Sequence, residues 1–176
     1  MKIPVTIITG FLGSGKTTLI TNLLKTTPDK RLAVLVNEFG EVSIDGDLLR
    51  AAGQESEGGV EIHDLPNGCI CCTVQDDFMP TMLRLKERKH EIDHILIETS
   101  GLALPTPVMA ALNWPEIRND FELDAVLTVV DTPELLAGHL EVGQPIPGAE
   151  QAEEVPEHIN GVAVILNEQL ENADVV

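Results

Sequence analysis

Outside one four-residue window the chain has no cysteine; Cys69, Cys71 and Cys72 are its whole complement. A disulfide framework needs thiols spread along the sequence, so that organisation is excluded. Basic residues are scarce as well: 11 stand against 29 acidic ones, a formal charge of −18. Such a surface repels nucleic-acid phosphates and anionic lipid, which argues against nucleic-acid and membrane partners. It attracts metal cations in general but selects none. No segment approaches the ~20 consecutive apolar residues of a membrane span. No secretory leader is expected either, because the apolar run of MKIPVTIITGFLGSGKTT stops at Ile8 and a glycine-rich loop follows where a cleavage site should be. The expected compartment is the cytoplasm, where thiols stay reduced and a thiol cluster points to metal or redox chemistry. There is no internal repeat.

The 176 residues, 43% of them apolar, suffice for one domain with a buried core. Short apolar runs bounded by turn residues predict buried strands at Ile3 to Ile8, Arg31 to Val36, His94 to Ile97 and Ala125 to Val130. Val60 to Leu65 alternates like a strand. Helical spacing marks Lys16 to Lys25, Asp76 to Lys89, with Phe78, Met82, Leu83 and Leu85 available for burial, and Ile159 to Ala173. Strands alternating with helices predict an α/β fold, a mainly parallel sheet flanked by helices on both faces. Residues 138–158 form an acidic, proline-containing loop.

Residues 10–17, Gly-Phe-Leu-Gly-Ser-Gly-Lys-Thr, satisfy G-x-x-x-x-G-K-[ST] between a strand and a helix. Glycines at 10, 13 and 15 allow backbone amides to turn inward around phosphate oxygens, and the helix N-terminus adds a favourable dipole. Lys16 is placed to reach the β- and γ-phosphates, and the Thr17 hydroxyl to sit on Mg²⁺. This is the pattern of a nucleotide-binding protein. Glu98 ends the fourth predicted strand, where a carboxylate can hold Mg²⁺ through water, and Gly101 can offer its N–H to the γ-phosphate. Asp45 is a further candidate for the Mg²⁺ neighbourhood.

The thiols of Cys69, Cys71 and Cys72 converge only where the backbone turns, since 69 and 71 of an extended chain face away from 72. Asn67-Gly68 supplies such a turn. Tetrahedral zinc or cobalt needs a further ligand, for which Glu38 is the first candidate and His63 the second. A buried thiol cluster and a redox pair are the competing readings.

TGFLGSGKTT (9–18), NEFG (37–40), NGCICCTV (67–74) and ETSGLALP (98–105) together resemble the CobW-type P-loop GTPases, metal chaperones or metal-insertion factors. NWPEIR (113–118) and DDFMPTM (76–82) are similar to the cobalamin-biosynthesis branch of that family. The resemblance implies a Rossmann-like GTPase domain, nucleotide contacts at Gly13, Ser14, Gly15, Lys16, Thr17 and Thr18, and Mg²⁺ at Thr17. It further implies a Co²⁺ or Zn²⁺ site on Cys69, Cys71 and Cys72 near Glu38. The activity it implies is hydrolysis of GTP to GDP and phosphate, coupled to delivery of Co²⁺ to a cobalt-inserting enzyme of cobalamin synthesis. Zinc delivery and nucleotide-independent metal binding are the alternatives. With no evident catalytic base, turnover is expected to be slow. The Asn-Lys-x-Asp motif that reads guanine is missing: Glu168 and Leu170 stand where Lys and Asp should follow Asn167. The match of QLENADVV (169–176) to the family places the base-reading strand, and a smaller second domain, beyond Val176.

Overall fold

The computed structural model describes residues 1–37, 59–65, 78–136 and 162–176. Five strands form one parallel sheet in the order β3-β2-β4-β1-β5. They are β1 (Ile3–Thr9), β2 (Leu32–Asn37), β3 (Val60–Leu65), β4 (His94–Glu98) and β5 (Phe121–Thr128). Among the described residues the five helices are α1 (Lys16–Thr26), α2 (Met79–Glu87), α3 (Thr106–Ala111), α4 (Thr132–Leu136) and α5 (Val162–Glu171). Among the described residues no helix is long and apolar enough to cross a membrane.

Side-chain alternation along the strands builds two cores, one on each face. Val5 and Ile7 of β1, Ala33 and Leu35 of β2, and Ile95 and Ile97 of β4 point to one face, where α2 contributes Phe78, Met82 and Leu85 and α3 contributes Val108 and Ala111. Ile8, Val34, Val36 and Leu96 point to the other, under Ile20 and Leu24 of α1. Leu83, expected in the core, is 41% exposed. Phe78, Met82 and Leu85 recur at i, i+4 and i+7, and Leu83 falls about 100° off that stripe.

Chain path then places the functional end. From β1 the chain crosses one face through α1 to β2; from β4 it crosses the opposite face through α3 to β5. Adjacent strands whose connections leave in opposite directions leave a crevice between them, the switch point at which open α/β sheets bind ligands. That crevice lies at the carboxyl ends of β1 and β4, paired in parallel with Ile8 opposite Glu98.

The start of β5 differs from the sequence expectation. Strand β5 begins at Phe121 rather than Ala125, because the exposed Glu122 and Asp124 break up the apolar run around Leu123. Its register against β1 also shifts between Val5 and Thr6. Residues 174–175 lie against β5: Asp174 accepts the Val126 amide on Oδ2 (2.8 Å), and Thr128 donates its amide to the Val175 carbonyl (2.9 Å).

At the amino end of the sheet, Asp120 accepts Lys86 Nζ and Lys89 Nζ, each at 2.9 Å, and Lys86 also donates to the Glu116 carbonyl. Those two lysines hold the Asp120 carboxyl below its ordinary pKa. Asp93 is pushed down to about 2 by Arg31, whose guanidinium and backbone amide both donate to it.

Two half-buried histidines are shifted the other way in charge terms. Burial lowers the pKa of His63 and of His94, whose Nε2 lies 2.8 Å from the Thr6 hydroxyl. The unfolded chain therefore binds more protons than the fold just below the ordinary histidine pKa of ~6.5, so this contribution to stability is present above that pH and is lost as pH falls. We predict that His94→Gln loses less stability than the parent between about pH 7.5 and 5.5, measured by urea denaturation at each pH; equal losses would remove His94 from the account.

Candidate functional site: the phosphate loop and the end of β4

The glycines of the phosphate loop take the backbone conformations that their side-chain-free geometry permits. Gly10, Gly13 and Gly15 have φ of 136°, 76° and 99°. Gly10 has no room for a side chain either: a Cβ there would strike the Val129 carbonyl oxygen and come within 2.9 Å of Ser14 Oγ. Gly15 is the N-cap of α1 and brings no side chain to the first turn, which holds no acidic residue. The amides of that turn and the helix dipole form a focus for anions in a strongly acidic chain.

Lys16 is buried at 7% exposure and folds back over the loop, its Nζ donating to the carbonyls of Gly10 (2.9 Å) and Phe11 (3.0 Å). Thr17 donates its hydroxyl to Glu98 Oε1 at 3.0 Å, across 81 residues of sequence. A threonine hydroxyl and a carboxylate this close present the hard-oxygen donors that magnesium selects. Thr18 is exposed on the first turn of α1, and the Ser14 hydroxyl is buried without a hydrogen-bond partner among the described residues.

After β4, the main chain is tied down at two points. Thr99 donates its amide to the Ile8 carbonyl (3.0 Å) and its hydroxyl to Thr9 Oγ1 (2.9 Å), both inside the fold. Gly101 then packs directly on the phosphate loop, where a Cβ would come within 2.5 Å of the Leu12 amide nitrogen and 2.8 Å of Leu12 Cα. The structure thus brings Gly10, Gly13, Ser14, Gly15, Lys16, Thr17, Glu98 and Gly101 to one end of the sheet. Glu38, Asp45, Cys69, Cys71 and Cys72 lie outside the described residues. Among the described residues no cluster of histidine, cysteine and carboxylate could hold a metal ion. His63 Nε2 lies 3.1 Å from Glu61 Oε1.

The model of the CobW/HypB/UreG nucleotide-binding domain matches residues 4–176. The chain belongs to that family. It is 48% identical over 176 residues to a protein from Sinorhizobium sp. named zinc chaperone CobW, covering 99% of this chain and 50% of that protein. A namesake from Pseudomonas aeruginosa is 47% identical over 180 residues, covering 99% and 48%. The chain therefore spans about half the length of these curated relatives. Among solved structures, a zinc-bound triple mutant of the YjiA GTPase superposes with a TM-score of 0.53 at 30% identity, over 78% of this chain and 43% of that one. Family membership and the parallel α/β architecture agree with the reading of the motifs.

Sequence reasoning passed over the Thr9–Thr99 hydroxyl pair, which no local pattern announces, and the buried Gln169. The latter had a signal: it lies three residues after Leu166 and four before Ala173, a polar residue on the apolar stripe of α5.

Two substitutions test this geometry. Gly10→Ala imposes a positive φ and a backbone collision together, and should destabilise the fold by at least about 2 kcal/mol in urea titration. Gly101→Ala must push its loop off Leu12; it should weaken binding of a non-hydrolysable GTP analogue about tenfold while GDP affinity changes less than twofold, as read by fluorescent-nucleotide titration.

Proposed function

We propose that this chain is the nucleotide-binding domain of a GTP-driven metallochaperone, in which the nucleotide state governs a transition-metal cargo on Cys69, Cys71 and Cys72. The observation that carries the reading is the Thr17–Glu98 contact beside the glycine-capped N-terminus of α1, since together they offer both halves of a phosphate-and-magnesium site. Lys16 would leave the Gly10 and Phe11 carbonyls for the β- and γ-phosphates, neutralising charge that grows in phosphoryl transfer. Thr17 and Glu98 would hold magnesium, which supplies charge stabilisation between those phosphates when bound. The Gly101 amide would report the γ-phosphate, because its loop rests on Leu12 of the phosphate loop.

Hydrolysis to GDP and phosphate removes that contact and frees the loop, an order–disorder device that GTPases use to change partners. Coupling to the cysteines follows from the chain path: β3 and α2, which flank them, belong to the same sheet and core as β4. Positioning and charge stabilisation make up the chemistry of the domain, without a covalent intermediate.

For the cargo, two observations favour zinc. Thiolate-rich sites bind Zn²⁺ more tightly than Co²⁺ by ligand preference, and the two relatives that this chain matches over about half their length both bear the name zinc chaperone. Cobalt delivery for cobalamin synthesis, which the motifs at 76–82 and 113–118 support, is the second reading, and it requires control by geometry or metal supply. Competitive titration of Zn²⁺ and Co²⁺ with and without Mg-GTP tests both. The expected result is a nucleotide-dependent shift of at least about tenfold in metal affinity, lost on Cys71→Ala, with zinc ahead of cobalt in each state. Metal affinities indifferent to nucleotide would overturn the gated model, and cobalt ahead of zinc would reverse the choice of cargo.

A further inference from the structure

Helix α5 carries a fully buried glutamine, Gln169, at 0% exposure on an otherwise apolar stripe. Its Nε2 donates to the Ala103 carbonyl at 3.0 Å, and its own main-chain carbonyl accepts the Thr128 hydroxyl at 2.8 Å, both bonds buried. The second bond has a helical reason, because the last carbonyls of a helix need partners from outside it. Glu168 and Leu170 find theirs in Asn172 and Ala173, and Gln169 finds its partner on β5. The first bond has no such reason. Leucine or methionine would fill the stripe without burying an amide, and the side-chain oxygen of Gln169 has no hydrogen-bond partner among the described residues. A buried acceptor left unmatched costs stability, and proteins keep such groups where another demand outweighs the cost.

The demand lies in what Ala103 belongs to. Its own amide donates to the Ser100 carbonyl at 3.0 Å, closing a turn around Gly101, and Gly101 packs on Leu12. The buried carbonyl of Ala103 needs a donor, and the Gln169 amide supplies it. We propose that Gln169 is a positioning residue for the phosphate-sensing loop: from α5 its amide holds residues 100–103, and so Gly101, against the phosphate loop. The proposal rests on the GTP-switch reading above and adds its regulation. A change at Gly101 is transmitted to α5 and to residues 174–175 on β5, and displacement of α5 loosens the γ-phosphate side of the site.

Hydrogen exchange and nucleotide affinity on the parent, Gln169→Leu and Thr128→Val decide the matter. In Gln169→Leu, amides of residues 99–105 should exchange about fivefold faster, the worth of one lost hydrogen bond, while residues 3–9 stay unchanged. Affinity for a non-hydrolysable GTP analogue should fall about fivefold, with GDP affinity within twofold. Thr128→Val, which removes only the hydroxyl that fixes the Gln169 carbonyl, should move both readouts in the same direction by less, and it decides the case if Gln169→Leu does not fold. Unchanged exchange at 99–105, an equal rise at 3–9, or equal loss of both nucleotides would overturn the proposal. A parent that binds no nucleotide would sink the switch reading, while the exchange comparison still decides whether Gln169 holds the loop.

Discussion

Parallel pairing of β1 with β4 sets Ile8 opposite Glu98, and the chemistry at the carboxyl end of the sheet depends on that register. Strand side chains alternate between faces, so a slip of one residue would turn Glu98 away from α1 and break its contact with Thr17. The same slip would exchange the two cores, placing Ile95 and Ile97 where Leu96 now meets α1. Burial on both faces therefore protects the register, and the register protects the site. Packing and function are held by one constraint.

The loops above that sheet are constrained by close approach more than by attraction. Gly10 sits under the Val129 carbonyl and Gly101 sits on Leu12, so each loop is held at a distance that leaves no space for a methyl group. Hydrogen bonds from Thr99 to Ile8 and Thr9, and from Val129 to the Thr9 carbonyl, tie the carboxyl ends of β4, β1 and β5 together. The result is a firm floor beneath the phosphate loop and the start of α1.

Much of this was legible in the residues. Buried strands in a parallel sheet read as short apolar runs, so β1, β2 and β4 stood out, and the phosphate loop declared itself by letter and context. Glu98 was found by its place at a strand end, and its partner Thr17 through the motif. What stayed hidden depends on contacts distant in sequence. Helices α3 and α4, of six and five residues, are too short to show a period. The start of β5 is an edge whose polar residues resemble loop. Gln169 looked like one polar interruption in a helix until Ala103, 66 residues earlier, came to face it. The thiol cluster was plain in sequence, and its geometry lies outside the described residues.

The pinning of Asp120 by Lys86 and Lys89 has a mechanical consequence. It fixes the carboxyl end of α2 at the base of the sheet, while the segment bearing the cysteines joins the helix at its other end. A nine-residue helix is about 13 Å long, so a tilt of about 5° around the anchored end carries the free end through about 1 Å. Phe78, at that end, is fully buried, so any such tilt must repack the core that the helix shares with β1, β2 and β4.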